Sequence, residues 1–126
     1  MILDTTVLID AERGGSLGDA IDDADDVAIA AITVAELKVG VQMAKGRRRE
    51  KRERFVAAVL SAVSIEVYDL AVAEAHAALL AHVRREGTPP GTHDLIIAAT
   101  ARANERQILS SDQGGFEGLP GVAIAG

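Results

Sequence analysis

A chain of 126 residues, 48% apolar and 25% charged, has the composition of a folded globular domain and is long enough to bury roughly two thirds of its unfolded surface. Its net charge of −6 is unfavourable for nucleic-acid binding by overall charge, so the distribution of that charge matters more than the sum. The absence of cysteine excludes disulfides and thiolate ligands, which leaves oxygen or imidazole to hold any metal and favours magnesium or manganese over zinc.

Ile2-Leu3 predicts a short strand ending near Asp4, and Val7, Leu8 and Ile9 predict a short helix that Gly14-Gly15 ends. Strand-like residues directly after Met1 leave no room for a signal peptide. No apolar run reaches the roughly 18 residues of a membrane span, so a cytoplasmic location is expected. A second small helix with Leu17 and Ile21 on one face is expected before the strand-like run VAIAAI at 27–32. Thr33 with Glu36 three residues later matches a capping box, and Val34, Leu37, Val41 and Ala44 continue at helical spacing.

Charge is then concentrated. Lys45, Arg47, Arg48, Arg49, Lys51, Arg52 and Arg54 face only Glu50 and Glu53, whereas Asp19 to Asp26 carries aspartates and no base. Such a basic run is most often the solvated face of a helix, with phosphate contact the less common reading. Phe55, Val56, Val59, Leu60 and Val63 form an apolar helical stripe, followed by the strand-like Ile65-Glu66-Val67. Val72, His76, Leu79 and Val83 mark a long helix that stops at Gly87-Thr88-Pro89-Pro90-Gly91. Thr92 is expected to cap a helix burying Leu95, Ile96, Ala99 and Ala103; Ile108-Leu109 and Val122-Ala123-Ile124 read as strands, the latter at an edge.

Strands separated by helices imply a mainly parallel sheet covered on both faces. The expected fold class is α/β, a three-layer α/β/α sandwich, with residues 1–126 as one domain. Three aromatic residues (Phe55, Tyr68, Phe116) are too few for a base-stacking platform. No glycine-rich phosphate loop, dinucleotide fingerprint or Gly-x-Ser-x-Gly elbow is present, so Gly114-Gly115 reads as turn geometry and a Ser–His–Asp hydrolase is disfavoured.

Open α/β sheets place functional groups beyond the carboxyl ends of their strands. Asp4, Glu36, Asp94 and Asp112 fall at such ends or at the helix starts facing them. Each has an ordinary structural alternative: Asp4 an N-cap, Glu36 half of the capping box, Asp94 a favourable charge in a first helical turn, Asp112 a turn residue. Convergence tips the balance, because carboxylates gathered at one sheet edge repel one another unless a divalent cation joins them, and carboxylate with water is what Mg²⁺ or Mn²⁺ prefers.

The strings MILDTTVLID, ITVAELKVG, THDLIIAATA and ILSSDQGGFEGLPGV, in that order and at those separations, resemble the four acidic motifs of PIN-domain ribonucleases, in particular VapC-type toxins of VapBC toxin–antitoxin pairs. The resemblance covers essentially the whole chain. It implies that Asp4, Glu36, Asp94 and Asp112 are the catalytic, metal-binding quartet, with Ser110 where the family often has Thr or Ser near the metal. Asp112 belongs to the most variable motif. Asp4 and Asp94 would be direct ligands, while Glu36 and Asp112 would act partly through waters, Glu36 orienting the nucleophile. His93 is expected to be exposed or to touch substrate phosphate, and His76 and His82 to be structural.

The implied function is a Mg²⁺- or Mn²⁺-dependent endoribonuclease of structured RNA such as transfer or ribosomal RNA. It would be the toxin of a type II pair, restrained by a cognate antitoxin and paired as a homodimer. The alternatives are a catalytically idle PIN-like domain that binds protein or RNA, which the intact acids disfavour, and a receiver-type phosphoacceptor. The receiver would need an acidic pair early and a lysine after its last core strand, where this chain has Asp4 alone and Ser110-Ser111-Asp112.

Overall fold

The computed structural model describes residues 1–14, 26–87 and 91–125. Along the chain lie β1 (Ile2–Leu3), α1 (Thr5–Gly14), β2 (Ala28–Ala30), α2 (Ala31–Met43), α3 (Gly46–Ala62), β3 (Ser64–Glu66), α4 (Leu70–Glu86), α5 (Thr92–Ala103), β4 (Ile108–Leu109) and a 3-10 turn at Gln113–Gly115. The expected helix around Leu17 and Ile21, and residues 88–90 of the predicted turn, lie outside the described residues. Gly87, at φ +74°, ends α4 in the left-handed conformation that glycine adopts without steric cost.

The strands pair in parallel in the order β3-β2-β1-β4, with Ile2 opposite both Ala28 and Ile108. Alternation along each strand divides the core between two faces. Ile2, Ala30 and Ile108 pack with Val72 and Leu79 of α4, with Ile97 of α5 and with Phe116. Leu3, Val27 and Ile29 pack with Leu8 of α1 and Val59 of α3. These are the three layers expected from the sequence. Helix α5 buries Leu95, Ile97, Ala98, Ala99 and Ala101, more than the single stripe predicted, because it packs against α2, α4 and β2. Its alanines permit that close approach.

Three local expectations are corrected. The run at 27–32 leaves the sheet after Ala30, which is extended at φ −74°, ψ 151°, and helix α2 already begins at Ala31. Thr33 is therefore inside the helix instead of capping it, and Glu36 is not half of a capping box. Likewise Gly91, not Thr92, occupies the N-cap of α5. At 122–124 the edge strand shrinks to one parallel bridge between Ile124 and Ile108, in which Ile108 N donates to Ala123 O at 2.9 Å and Ala125 N to Ile108 O at 2.8 Å. The turn at Gly121, with φ +74°, stands too close before it for a longer ladder.

The Thr33 hydroxyl is fully buried and has no hydrogen-bond partner among the described residues. A buried unsatisfied hydroxyl costs about 1–3 kcal/mol, whereas loss of an N-cap would cost about 0.5–2 kcal/mol, so the two placements predict opposite signs. Thr33→Val is expected to leave stability unchanged or raise it by up to about 1 kcal/mol, read from the urea midpoint.

Arg106, just before β4, bonds Glu66 at 2.9 Å and Asp26 at 3.1 Å, tying β3 and the segment before β2 to the start of β4. No helix among the described residues is long and apolar enough to cross a membrane.

Candidate active site

The strand order places a topological switch between β1 and β4, the crevice in which open α/β sheets receive ligands. Asp4 leaves β1 and Ser110 leaves β4 on the two sides of this crevice. Asp4, 3% exposed, has its Oδ2 gripped by two hydroxyls, Ser110 Oγ at 2.6 Å and Thr6 Oγ1 at 2.9 Å. Ser110 Oγ also lies 2.9 Å from Asp112 O and accepts from Asp112 N at 3.0 Å. Its single proton goes to the nearer, charged acceptor. Thr6 Oγ1 in turn accepts from Ser111 N at 3.1 Å. Among the described residues no backbone amide bonds the Asp4 carboxylate, so its side chain serves these hydroxyls and does not cap α1.

Glu36 reaches the same crevice from the second turn of α2. Thr5 Oγ1 donates to its Oε1 at 3.0 Å, and His93 Nδ1 stands 3.3 Å from its Oε2. Asp94 lies in the first turn of α5, between glycines. A Cβ on Gly115 would come within 3.2 Å of its Oδ2, and one on Gly91 within 3.7 Å. Gly114-Gly115, expected to serve the turn alone, thus also leaves room for the Asp94 carboxylate. Burial pushes the Asp94 pKa up, and the charges of Asp4, Glu36 and Asp112 push it further, with His93 opposing. The other three acids therefore act on Asp94 through space. Asp112 is exposed at the start of the 3-10 turn.

Sequence reasoning missed the hydroxyls of Thr5 and Thr6 and the 2.6 Å bond from Ser111 to Asp10. The available signal was the pair of threonines directly after Asp4, where the strand turns into α1. His93 is exposed as expected, but it faces Glu36, a contact between helices that residue spacing did not indicate. His76 bonds the Tyr68 hydroxyl at 2.7 Å, away from the acids.

Among the described residues no Lys or Arg comes within ion-pair distance of Asp4, Glu36, Asp94 or Asp112. No three of the described acidic or imidazole side chains stand close enough to close around an ion by themselves. Magnesium does not require that, since it keeps several waters and takes one or two carboxylates. An all-oxygen set with excess negative charge fits such an ion.

Fold and site together define an α/β protein whose sheet edge presents a carboxylate site suited to a divalent cation. The chain belongs to the PIN domain family, whose model matches residues 1–121. It is 34% identical to Ribonuclease VapC5 of Mycobacterium tuberculosis over 97% of this chain and 89% of that protein. It is 28% identical to Ribonuclease VapC of Rickettsia bellii over 98% and 93%. A crystal structure of VapBC-5, a member of the VapBC family of toxin-antitoxin systems from M. tuberculosis, superposes with a TM-score of 0.79 at 29% identity, covering 98% of this chain and 94% of that one.

Proposed function

We propose that the chain is a divalent-metal-dependent endoribonuclease, acting as one domain in the cytoplasm as the toxin of a toxin–antitoxin pair and restrained by a cognate antitoxin. The observation that carries this is a set of carboxylates at the switch point, Asp4 buried, Glu36 and Asp94 half-buried and Asp112 exposed, with no Lys or Arg paired to them among the described residues. Relatives named ribonucleases and a relative solved as a toxin–antitoxin complex support the reaction and the partner. Structured RNA, such as transfer or ribosomal RNA, is the substrate class.

Asp4 and Asp94 would hold Mg²⁺ or Mn²⁺ directly, and Glu36 and Asp112 partly through waters. When bound, the ion supplies Lewis acidity toward phosphate and lowers the pKa of water. The protein's share is positioning. Ser110 and Thr6 fix Asp4, Thr5 and His93 fix Glu36 so that it can orient the attacking water, and the glycines beside Asp94 keep its carboxylate unobstructed. Pairing as a homodimer is part of this reading, supported by exposed Ile65, Val67, Tyr68 and Leu70 along one edge of the molecule.

The test is cleavage of total RNA by protein purified without a chelating tag. Cutting is expected with Mg²⁺ or Mn²⁺, none in chelator, and 5′-phosphate ends, because water and not the ribose 2′ hydroxyl attacks. Products ending in 2′,3′-cyclic phosphate, or undiminished cutting in chelator, would overturn it.

A further inference from the structure

Two adjoining grooves lie beside the acidic site, and the first of them opens from it. The first, of about 220 Å³, is lined by Thr5 and Glu36 of the acidic site, by Arg13 and Arg52, and by the apolar Ile9 and Leu37. The second, of about 290 Å³, is lined by Glu12, Arg13, Arg48, Lys51 and Arg52. They share Glu12, Arg13 and Arg52, so they form one channel running from carboxylate to base. Spacings of three and four residues put Arg48, Lys51 and Arg52 on one face of α3. Arg49 turns elsewhere and pairs with Glu53 at 3.1 Å.

We infer that this channel is the exit track for the substrate strand, with the phosphates flanking the scissile bond resting on Arg13, Arg48, Lys51 and Arg52. This rests on the nuclease reading above. Arg52 is pre-set, since its Nη1 donates to Gly40 O at 3.1 Å and its Nε lies 3.7 Å from Glu12, which fixes the guanidinium across the junction of the two grooves. Arg13, Arg48 and Lys51 are exposed and able to adapt to the strand. A strand cut beside Glu36 must continue into an adjoining groove, and this one begins at Glu36 itself. That continuity favours RNA over an acidic polypeptide as the occupant. The track also resolves the net charge of −6, because a local row of bases, not the total, meets the phosphates.

The experiment measures fluorescence anisotropy of a labelled unstructured 12-nucleotide RNA without divalent ions, from low to high salt. It compares wild type with Arg48→Gln/Lys51→Gln and with Arg47→Gln/Arg54→Gln, which removes the same charge from α3 at positions outside the channel. Thermal melting verifies that all three are folded. The channel pair is expected to weaken binding about tenfold or more at low salt and to flatten the logarithmic salt slope by about 1.4, at about 0.7 per lost phosphate contact on single strands. The outer pair is expected to change affinity less than about twofold, by net charge alone. Equal effects of the two pairs, or wild-type binding by the channel pair, would overturn the track. So would a channel pair that binds RNA normally but loses affinity for polyglutamate, which would assign the groove to an acidic polypeptide. Absence of RNA cleavage by wild type with magnesium would instead count against the nuclease reading, and a differential salt slope in that case would still support the track.

Discussion

Asp94→Asn is expected to lower RNA cleavage by at least two to three powers of ten, about the scale for removing one preorganised electrostatic contact, while leaving the metal-free protein as stable as wild type or more so. Two effects compete at this position. A negative charge in the first turn of α5 gains about 0.3–1 kcal/mol from the helix macrodipole, which Asn forfeits. Against that stand burial of the carboxylate and repulsion from Asp4, Glu36 and Asp112, which push its pKa up. Because folding raises the pKa, the native state holds the Asp94 proton more tightly than the unfolded chain does. That contribution to stability is present below the ordinary carboxylate range and is lost as pH rises through the raised value. At neutral pH the ionised group opposes folding, so Asn relieves it, by a few tenths to about 1 kcal/mol once solvent screening is allowed for. Melting curves with chelator and with Mn²⁺, from pH 4 to 8, test both halves. The metal-induced rise in melting temperature should shrink in the variant. Full activity with an unaltered metal response would remove Asp94 from the site.

The second large effect is expected at Ser110. Ser110→Ala deletes the nearer of the two hydroxyls that hold Asp4 Oδ2, leaving Thr6 alone on a carboxylate that is 3% exposed. Groups that orient metal ligands typically contribute 10- to 100-fold to affinity or activity, and a fall of about that size in cleavage and in Mn²⁺ affinity is expected. Stability should drop by about 1–3 kcal/mol, the cost of stripping a hydrogen bond from a buried charge. Ser110→Thr restores the hydroxyl and should recover most of the metal response. If Ala and Thr behave alike, the bond to Asp4 has no part in the site.

The layers were legible because they follow from periodicities, and the candidate acids because Asp4 and Asp112 follow strands while Glu36 and Asp94 lie in early helical turns that an open α/β sheet brings to the same edge. Ile2-Leu3 and Ile108-Leu109 are apolar on both faces, the pattern of buried parallel strands, and Asp4 and Ser110 follow them directly. Thr33 misled because a capping box and an early helix start share the same residues. What decides between them is where the chain leaves the sheet, and that is set by the end of the pairing with β3 at Ala30 and Glu66, a contact distant in sequence. The bond from Thr5 to Glu36 and the approach of His93 to Glu36 were not legible at all, since they depend on how α1, α2 and α5 converge at the sheet edge.

The pairing of β1 with β4 bears on synthesis as well as on chemistry. Asp4 and Ser110 are 106 positions apart, and β1 sits between β2 and β4 in the sheet. At about 5–20 residues per second, on the order of 5–20 seconds pass between translation of one and of the other, and contacts of such separation form slowly even afterwards. Until β4 docks, Asp4 lacks its closer hydroxyl anchor and neither Asp94 nor Asp112 faces it in a finished crevice. A nascent chain thus lacks the completed carboxylate crevice for nearly the whole of its translation.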